Sequence, residues 1–168
     1  MLKVDLGQLG REGSVAVDAA IPADAELWQD TDLTWSGDVE AGFRAMYAGT
    51  GEVVARGSVE GTLVQECRRC LKPVETPLKN ELTLVFVSDG SDEDGSGYPF
   101  AEGSSELDLS EAVREEIVLA VSPYALCVPE CQGFCPQCGI DLDESSCDCT
   151  VDETDPRWAA LMKLKTKS

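Results

Sequence analysis

Apolar and polar positions alternate most clearly in the first half of the chain. From Leu33 to Tyr47 aromatic and β-branched residues recur, with strict alternation at Val39, Ala41, Phe43, Ala45 and Tyr47. A period of two marks a half-buried strand, here with a bulge near Gly37. Ala48-Gly49-Thr50-Gly51 is a turn signal, and Glu52 to Glu66 resumes the alternation, so the two runs form a hairpin or meander. Pro73 to Pro77 is an extended lead-in to Leu78–Val87, where Leu82, Leu84 and Phe86 alternate with polar neighbours and predict a third antiparallel strand. Cys67 and Cys70 then fall in the loop between two strands.

The pattern changes after Val87. Ser88 to Ser105, rich in Gly, Ser, Asp and Glu, has too little apolar content for a core and is expected to be a mobile acidic loop. Leu107 to Val121 reads as a helix: Asp108 and Ser110 are candidate caps, Glu111, Glu115 and Glu116 suit its N-terminal half, and Val113, Ile117, Ala120 and Val121 share a face. Pro123 ends it. Beyond lies a Cys-, Pro- and Gly-rich stretch with few large aliphatics, closed by Asp155-Pro156-Arg157-Trp158 and a short amphipathic, locally basic end carrying Arg157, Lys163, Lys165 and Lys167. The expected architecture is α+β: a mainly antiparallel β-sheet or partly open barrel with one main helix, and a C-terminal zinc-ribbon-like, cysteine-rich appendage. The boundary divides a β-rich core domain at 1–122 from the appendage and basic tail at 123–168.

Charge narrows the partners. The 168 residues include 32 acids against 13 bases, a formal charge of -19, and a field of that sign repels phosphate backbones. It excludes non-specific nucleic-acid binding by the whole surface and favours a basic partner. The first residues lack a basic segment followed by an apolar one, and no run approaches the roughly 18 apolar residues of a membrane span. A cytoplasmic protein is expected, in a compartment where closely spaced cysteines serve as metal ligands or redox centres before disulfides.

Those cysteines are the main chemistry in the chain. Four thiolates about 2.3 Å from a zinc ion must converge from tight turns, and Cys-x-x-Cys does this with a very short loop. Cys135-Pro-Gln-Cys138-Gly139 adds a glycine suited to positive φ, and with Cys147-Asp-Cys149 it supplies one complete ligand set. Cys67, Cys70, Cys127 and Cys131 make a second set if the interstrand loop packs on the post-helix segment. Cys127, Cys131 and Cys135 are spaced by four, but Pro129, Gly133 and Pro136 oppose a continuous helix. One site with the remaining cysteines free, exchanged ligand pairs, and an iron or iron–sulfur centre are the alternatives. Closed four-thiolate sites leave no position for water and would stabilise the fold rather than hydrolyse.

Ordinary catalysis finds little support. The chain has no histidine, hence no histidine dyad or base, and no phosphate-cradling glycine motif; Gly90, Gly95 and Gly97 stand among acids. No catalytic residue and no small-molecule substrate are expected. A thiol redox role for Cys67-Arg-Arg-Cys70, with Arg68 and Arg69 lowering a thiolate pKa, is the enzymatic rival.

Cys67-Arg68-Arg69-Cys70-Leu71, the helix ending near Pro123, Cys127, Cys131-Gln-Gly133-Phe-Cys135-Pro136-Gln-Cys138-Gly139, Leu142, Cys147-Asp-Cys149, and Asp155-Pro156-Arg157-Trp158 with Leu161 together resemble the YceD-like family of bacterial and plastid proteins. The resemblance covers roughly Leu63 to Leu164. It implies a non-enzymatic role in large-subunit ribosome biogenesis and in accumulation of 23S ribosomal RNA. The implied partner is a basic large-subunit ribosomal protein or a pre-ribosomal particle. Direct contact with 23S ribosomal RNA through Arg68, Arg69 and the tail residues Arg157, Lys163, Lys165 and Lys167 is the other binding mode.

Overall fold

A computed structural model describes residues 2–48, 51–88 and 97–149. The chain opens with a short strand β1 (Lys3–Asp5), a helix α1 (Leu6–Glu12) and a strand β2 (Ser14–Ile21). Asp5 caps α1 by accepting from the Gln8 amide at 2.7 Å, and Gly13 ends it in the left-handed region, φ 78°. A 3-10 turn (Glu26–Trp28) leads to β3 (Val39–Tyr47), β4 (Val53–Glu66) and β5 (Pro73–Ser88). After β5 come β6 (Tyr98–Phe100), β7 (Glu106–Asp108) and helix α2 (Ser110–Ala120).

The main sheet has the order β2-β3-β4-β5-β6, antiparallel except for the parallel β5–β6 pair. With β2 and β6 at its two edges it is open, not a closed barrel. Val39, Ala41, Phe43 and Ala45 of β3 and Val53, Ala55 and Val59 of β4 turn to one face, as period two requires. The helices cover that face, burying Leu6 and Leu9 of α1 and Ala112, Val113 and Ile117 of α2. The β1–β7 ribbon, with Val4 opposite Leu107, ties the N-terminus to the start of α2, and the Leu109 amide donates to the Leu2 carbonyl at 2.8 Å.

The alternation therefore locates the three long strands, with corrections at their ends. Pro73–Pro77 is not a lead-in but part of β5, paired with Thr62–Glu66. Leu33 to Asp38 lie outside β3; there Trp35 bridges Leu63, and Ser36 and Thr34 exchange backbone bonds with Thr62 and Val64. The expected acidic loop contains β6, whose Tyr98 packs on Phe86 with ring centroids 5.6 Å apart; residues 89–96 are outside the described ones. Helix α2 begins at Ser110 rather than Leu107, because Glu106–Asp108 is drawn into pairing with β1. Neither proposed residue is the N-cap: Leu109 holds that position, while the Asp108 carboxylate accepts from the Ser110 amide at 2.9 Å. Ala120 is exposed, and Ala112 takes its place on the buried face.

Tyr98 also anchors β6 to α2, its hydroxyl donating to Glu116 Oε1 at 3.1 Å. Burial, reinforced by Glu116, pushes its phenol from 10.0 up to about 12. A group raised on folding contributes stability that is complete below its ordinary value and disappears as pH rises through the folded one. The difference in urea midpoint between the parent and Tyr98→Phe should therefore be constant up to about pH 10 and move against the parent between about 10 and about 12.

Candidate metal centre

Pairing between β4 and β5 continues past the end of β3, so residues 61–66 and 73–78 extend beyond it as an arm, with residues 34–36 bonded along its β4 edge. Cys67 and Cys70 sit in the turn at its tip. The Cys67 amide donates to the Lys72 carbonyl at 2.8 Å and the Leu71 amide returns to the Cys67 carbonyl at 2.8 Å. The post-helix segment lies alongside: Gln65 Nε2 donates to the Ser122 carbonyl at 2.9 Å, and the Arg68 amide to that of Ala125 at 3.0 Å. Those bonds deliver Cys127 and Cys131 to the tip.

There the Sγ atoms of Cys67, Cys70, Cys127 and Cys131 all lie within 4.8 Å of one another. Cys67 to Cys131 is 3.8 Å and Cys70 to Cys127 is 3.5 Å. A tetrahedron with spokes of about 2.3 Å has edges of about 3.8 Å, whereas a disulfide needs about 2.05 Å; all eight cysteines are free thiols. Cys67, Cys70 and Cys131 are buried, with Val74 and Leu126 packed against them.

The second group is assembled locally. Cys135, Cys138, Cys147 and Cys149 again place four Sγ atoms within 4.8 Å. The Cys135 amide donates to the Ile140 carbonyl at 2.8 Å, the Gly139 amide to that of Cys135 at 2.9 Å, and Gly139 has φ 73°. Cys135 is buried and Cys138 exposed.

The two groups abut. Gly133, at φ 73°, passes so close to the first turn that a Cβ there would lie 2.5 Å from the Arg69 carbonyl oxygen. Lys72 bridges Asp141 at 2.8 Å and Glu144 at 2.7 Å. Its hydrogen bond to Asp141 holds the lysine above its ordinary value and the carboxyl below its own. Asp143 accepts from the Gln132 amide at 2.9 Å and from the Cys131 thiol at 3.0 Å.

Electrostatics single out the first cysteine of each Cys-x-x-Cys. Burial pushes the Cys67 thiol up, but backbone N–H groups of Arg69, Cys127 and Cys70 outweigh it and bring it down to about 6. The amides of Cys138 and Gln137 bring Cys135 to about 6 as well. Other thiols shift the opposite way: Cys131 is raised by its bond to the Asp143 carboxylate and by burial, and Cys149 is pushed up to about 12 by its bond to Cys138 and by burial. Cys67 and Cys135 are thus the readily ionised sulfurs of their groups, whereas Cys131 and Cys149 would give up their protons only to a bound cation. The two tetrads are positioned to bind metal ions, with the grouping of cysteines that the spacing suggested.

The basic residues fare differently. Arg68 is exposed and lies over the Tyr124 ring, 4.7 Å from its centroid. Arg69 donates through Nη1 to the Cys131 carbonyl, which makes it a clamp between the tip and the ligand segment. Arg157, Lys163, Lys165 and Lys167 lie outside the described residues. Sequence reasoning passed over Tyr124, Lys72 and the role of Gly133; Gly133, two residues after Cys131, was the one signal available.

Among the described residues no helix is long and apolar enough to cross a membrane. A cleft of about 630 Å³ lies between the end of β2, the 3-10 turn and the start of α2. Its Arg114 is already engaged by Glu111 and the Gln29 carbonyl.

The family model described as large ribosomal RNA subunit accumulation protein YceD matches residues 55–165, from near the start of β4 through both tetrads. An uncharacterized protein of Mycobacterium tuberculosis is 32% identical over 118 residues, 67% of this chain and 55% of that protein. The chloroplastic large ribosomal RNA subunit accumulation protein YCED homolog 1 of Arabidopsis thaliana is 30% identical over 108 residues, 56% of this chain and 33% of the plant protein. A Bacillus subtilis protein, YlbN, is 28% identical over 108 residues, 64% of this chain and 63% of its own length. The chain spans about half the length of the mycobacterial relatives. No solved structure matches. Since the matched span takes in most of the chain and every cysteine of the two tetrads, the protein belongs to the YceD family of large ribosomal RNA subunit accumulation proteins.

Proposed function

We propose that this protein is a non-enzymatic, cytoplasmic factor of large-subunit ribosome biogenesis that is stabilised by two zinc ions. In this reading it supports accumulation of 23S ribosomal RNA by binding a basic large-subunit ribosomal protein or a pre-ribosomal particle. Family membership carries the reading. Sulfur–sulfur separations of 3.5 and 3.8 Å support zinc, which takes closed four-thiolate shells and then serves the fold. With all four positions taken by sulfur, neither site would activate water.

The charge of -19 supports a basic partner. Among the described residues Lys3 pairs with Glu106, Lys79 with Glu60, Lys72 with Asp141 and Glu144, and Arg114 with Glu111. Affinity purification of the tagged full chain at low salt, followed by identification of bound protein and RNA, tests the reading. A basic large-subunit ribosomal protein, free or within a particle, is the expected companion. Recovery of ribosomal RNA with no such protein would overturn it.

A further inference from the structure

The two Cys-x-x-Cys turns share one backbone scheme. In both, the amide of the first cysteine donates to the carbonyl five residues on, and the residue after the second cysteine donates back to the first cysteine's carbonyl. In both, that last residue is left-handed: Gly139 at φ 73°, Leu71 at φ 58°. Glycine occupies such a position without strain, whereas an L-residue with a Cβ costs roughly 1–2 kcal/mol there. Leu71 recovers none of that by burial, being 61% exposed. A strained backbone presenting an apolar side chain to solvent on a rigid support points to use of that side chain by a partner.

Other exposed apolar residues belong to the segments that carry the first tetrad. Val128, exposed, follows Cys127, whose Sγ is 3.5 Å from that of Cys70, the residue before Leu71. Tyr124 is 65% exposed beneath the Arg68 guanidinium. An aromatic ring, an arginine and aliphatic side chains on a fixed frame have the make-up of an interface hot spot.

Charge selects the occupant. At this tip Lys72 pairs with Asp141 and Glu144, Arg69 donates to the Cys131 carbonyl, and Arg68 lies over the Tyr124 ring. Two arginines standing among the acids Glu66, Glu130, Asp141, Asp143 and Glu144 do not make the several phosphate contacts on which RNA affinity depends. Glu66 and Glu130, each exposed and each preceding a cysteine of the first tetrad, add negative charge to these segments. We propose that the tip of the β4–β5 arm, through Leu71, Val128 and Tyr124, docks a basic polypeptide segment. An apolar side chain of that segment seats on Leu71 and Val128 while its Lys and Arg residues meet the Tyr124 ring, Glu66 and Glu130. The inference rests on the reading of function above, and names the surface that meets the basic ribosomal partner.

The test uses the full, zinc-loaded chain with Leu71→Gly and, separately, Tyr124→Ala. The probes are proteins extracted from large ribosomal subunits, identified by mass spectrometry, and purified 23S ribosomal RNA. Leu71→Gly should keep both metal ions and an unchanged or higher urea midpoint, because glycine relieves the left-handed position. It should bind the captured ribosomal protein at least about tenfold more weakly, and Tyr124→Ala should show a similar loss. Full affinity in both variants overturns the docking surface and leaves the proposed function standing. Loss of 23S RNA binding instead of protein binding also overturns it, as does a dimer of the parent chain, seen by sedimentation, that Leu71→Gly abolishes. Failure of the parent to capture any large-subunit protein overturns the functional reading itself.

Discussion

Cys131→Ser should halve the zinc content, from two ions per chain to one, and free the segment from Ser122 to Cys149 from the arm while leaving the sheet folded. Apolar packing adds little to the hydrogen bonds and ion pairs of this segment: the buried cluster at the tip consists of Cys67, Cys70 and Cys131, with Val74, Leu126 and Cys127 against it. Structural zinc contributes an apparent 10–16 kcal/mol or so in small zinc-held folds, far more than those few apolar contacts can replace. The sheet has its own core, from Leu2 and Val4 through Val39, Phe43 and Val59 to Ile117. Metal analysis together with amide exchange reads both effects: loss of protection confined to the cysteine-rich segment, and an almost unchanged urea midpoint for the core. A high-affinity chelator should reproduce the exchange result in the parent chain and remove both ions. Retention of two ions by the variant, or undiminished protection of the segment, would refute the assignment of Cys131 as a ligand.

Gly57→Ala should be the most damaging single change in the sheet. Gly57 lies on the core face of β4, between Ala55 and Val59, opposite Phe43 of β3. An added Cβ would run into the Gly42 carbonyl oxygen and come within 2.7 Å of both the Phe43 Cα and its ring. Backbone atoms of a central strand cannot turn aside as a side-chain end does, so relief requires β3 and β4 to separate. Overpacking ordinarily costs 1–3 kcal/mol or so, and a backbone collision belongs at the upper end, about 3 kcal/mol. In a chain of this size that is roughly 6–12 °C in Tm. Gly37→Ala, where nothing lies within 4 Å of an added Cβ, is the control expected to change little. A Gly57→Ala protein with parental Tm would show that the β3–β4 register is looser than described.

The strands that alternation reveals are those paired with sequence neighbours: β3, β4 and β5 form a meander in which each residue's face is set by local period. Elements fixed by distant contacts were harder to read. The pattern around Leu107 suits a helix, yet its first residues pair with Val4 and its neighbours at the other end of the chain. Helix α1 carries two glycines in seven residues, a poor helical composition; it holds through the Asp5 cap, the Gly13 terminus and burial of Leu6 and Leu9. Asp5 and Gly13 were visible signals, but too short a stretch lies between them to show a period. Strand β6 is three residues of parallel edge after an acidic run, with no alternation of its own.

The cysteines were legible for a different reason: spacing constrains them more tightly than hydropathy does. Cys135 to Cys149 close on themselves within one segment. The other four needed the β4–β5 turn and the post-helix segment to meet, which no local pattern dictates. The bonds from Gln65 to Ser122 and from Arg68 to Ala125 bring that meeting about. Arg69 looked like a free cation in the sequence and is a clamp in the fold, since a sequence does not reveal which carbonyl a guanidinium will reach.

The separation between Cys67 and Cys131, 64 residues, and between Cys70 and Cys127, 57 residues, imposes an order on synthesis. As the chain leaves the ribosome the arm can form as soon as β5 is out, presenting two thiols and no means of enclosing an ion. Its other two ligands follow only after β6, β7 and α2 have been made. Closing so long a loop costs only about 0.6 kcal/mol more for each doubling of length, so the delay is one of timing rather than of energy. The tip could then enclose an ion only once the residues of the core have been made, whereas the second tetrad, Cys135 to Cys149, is completed later still.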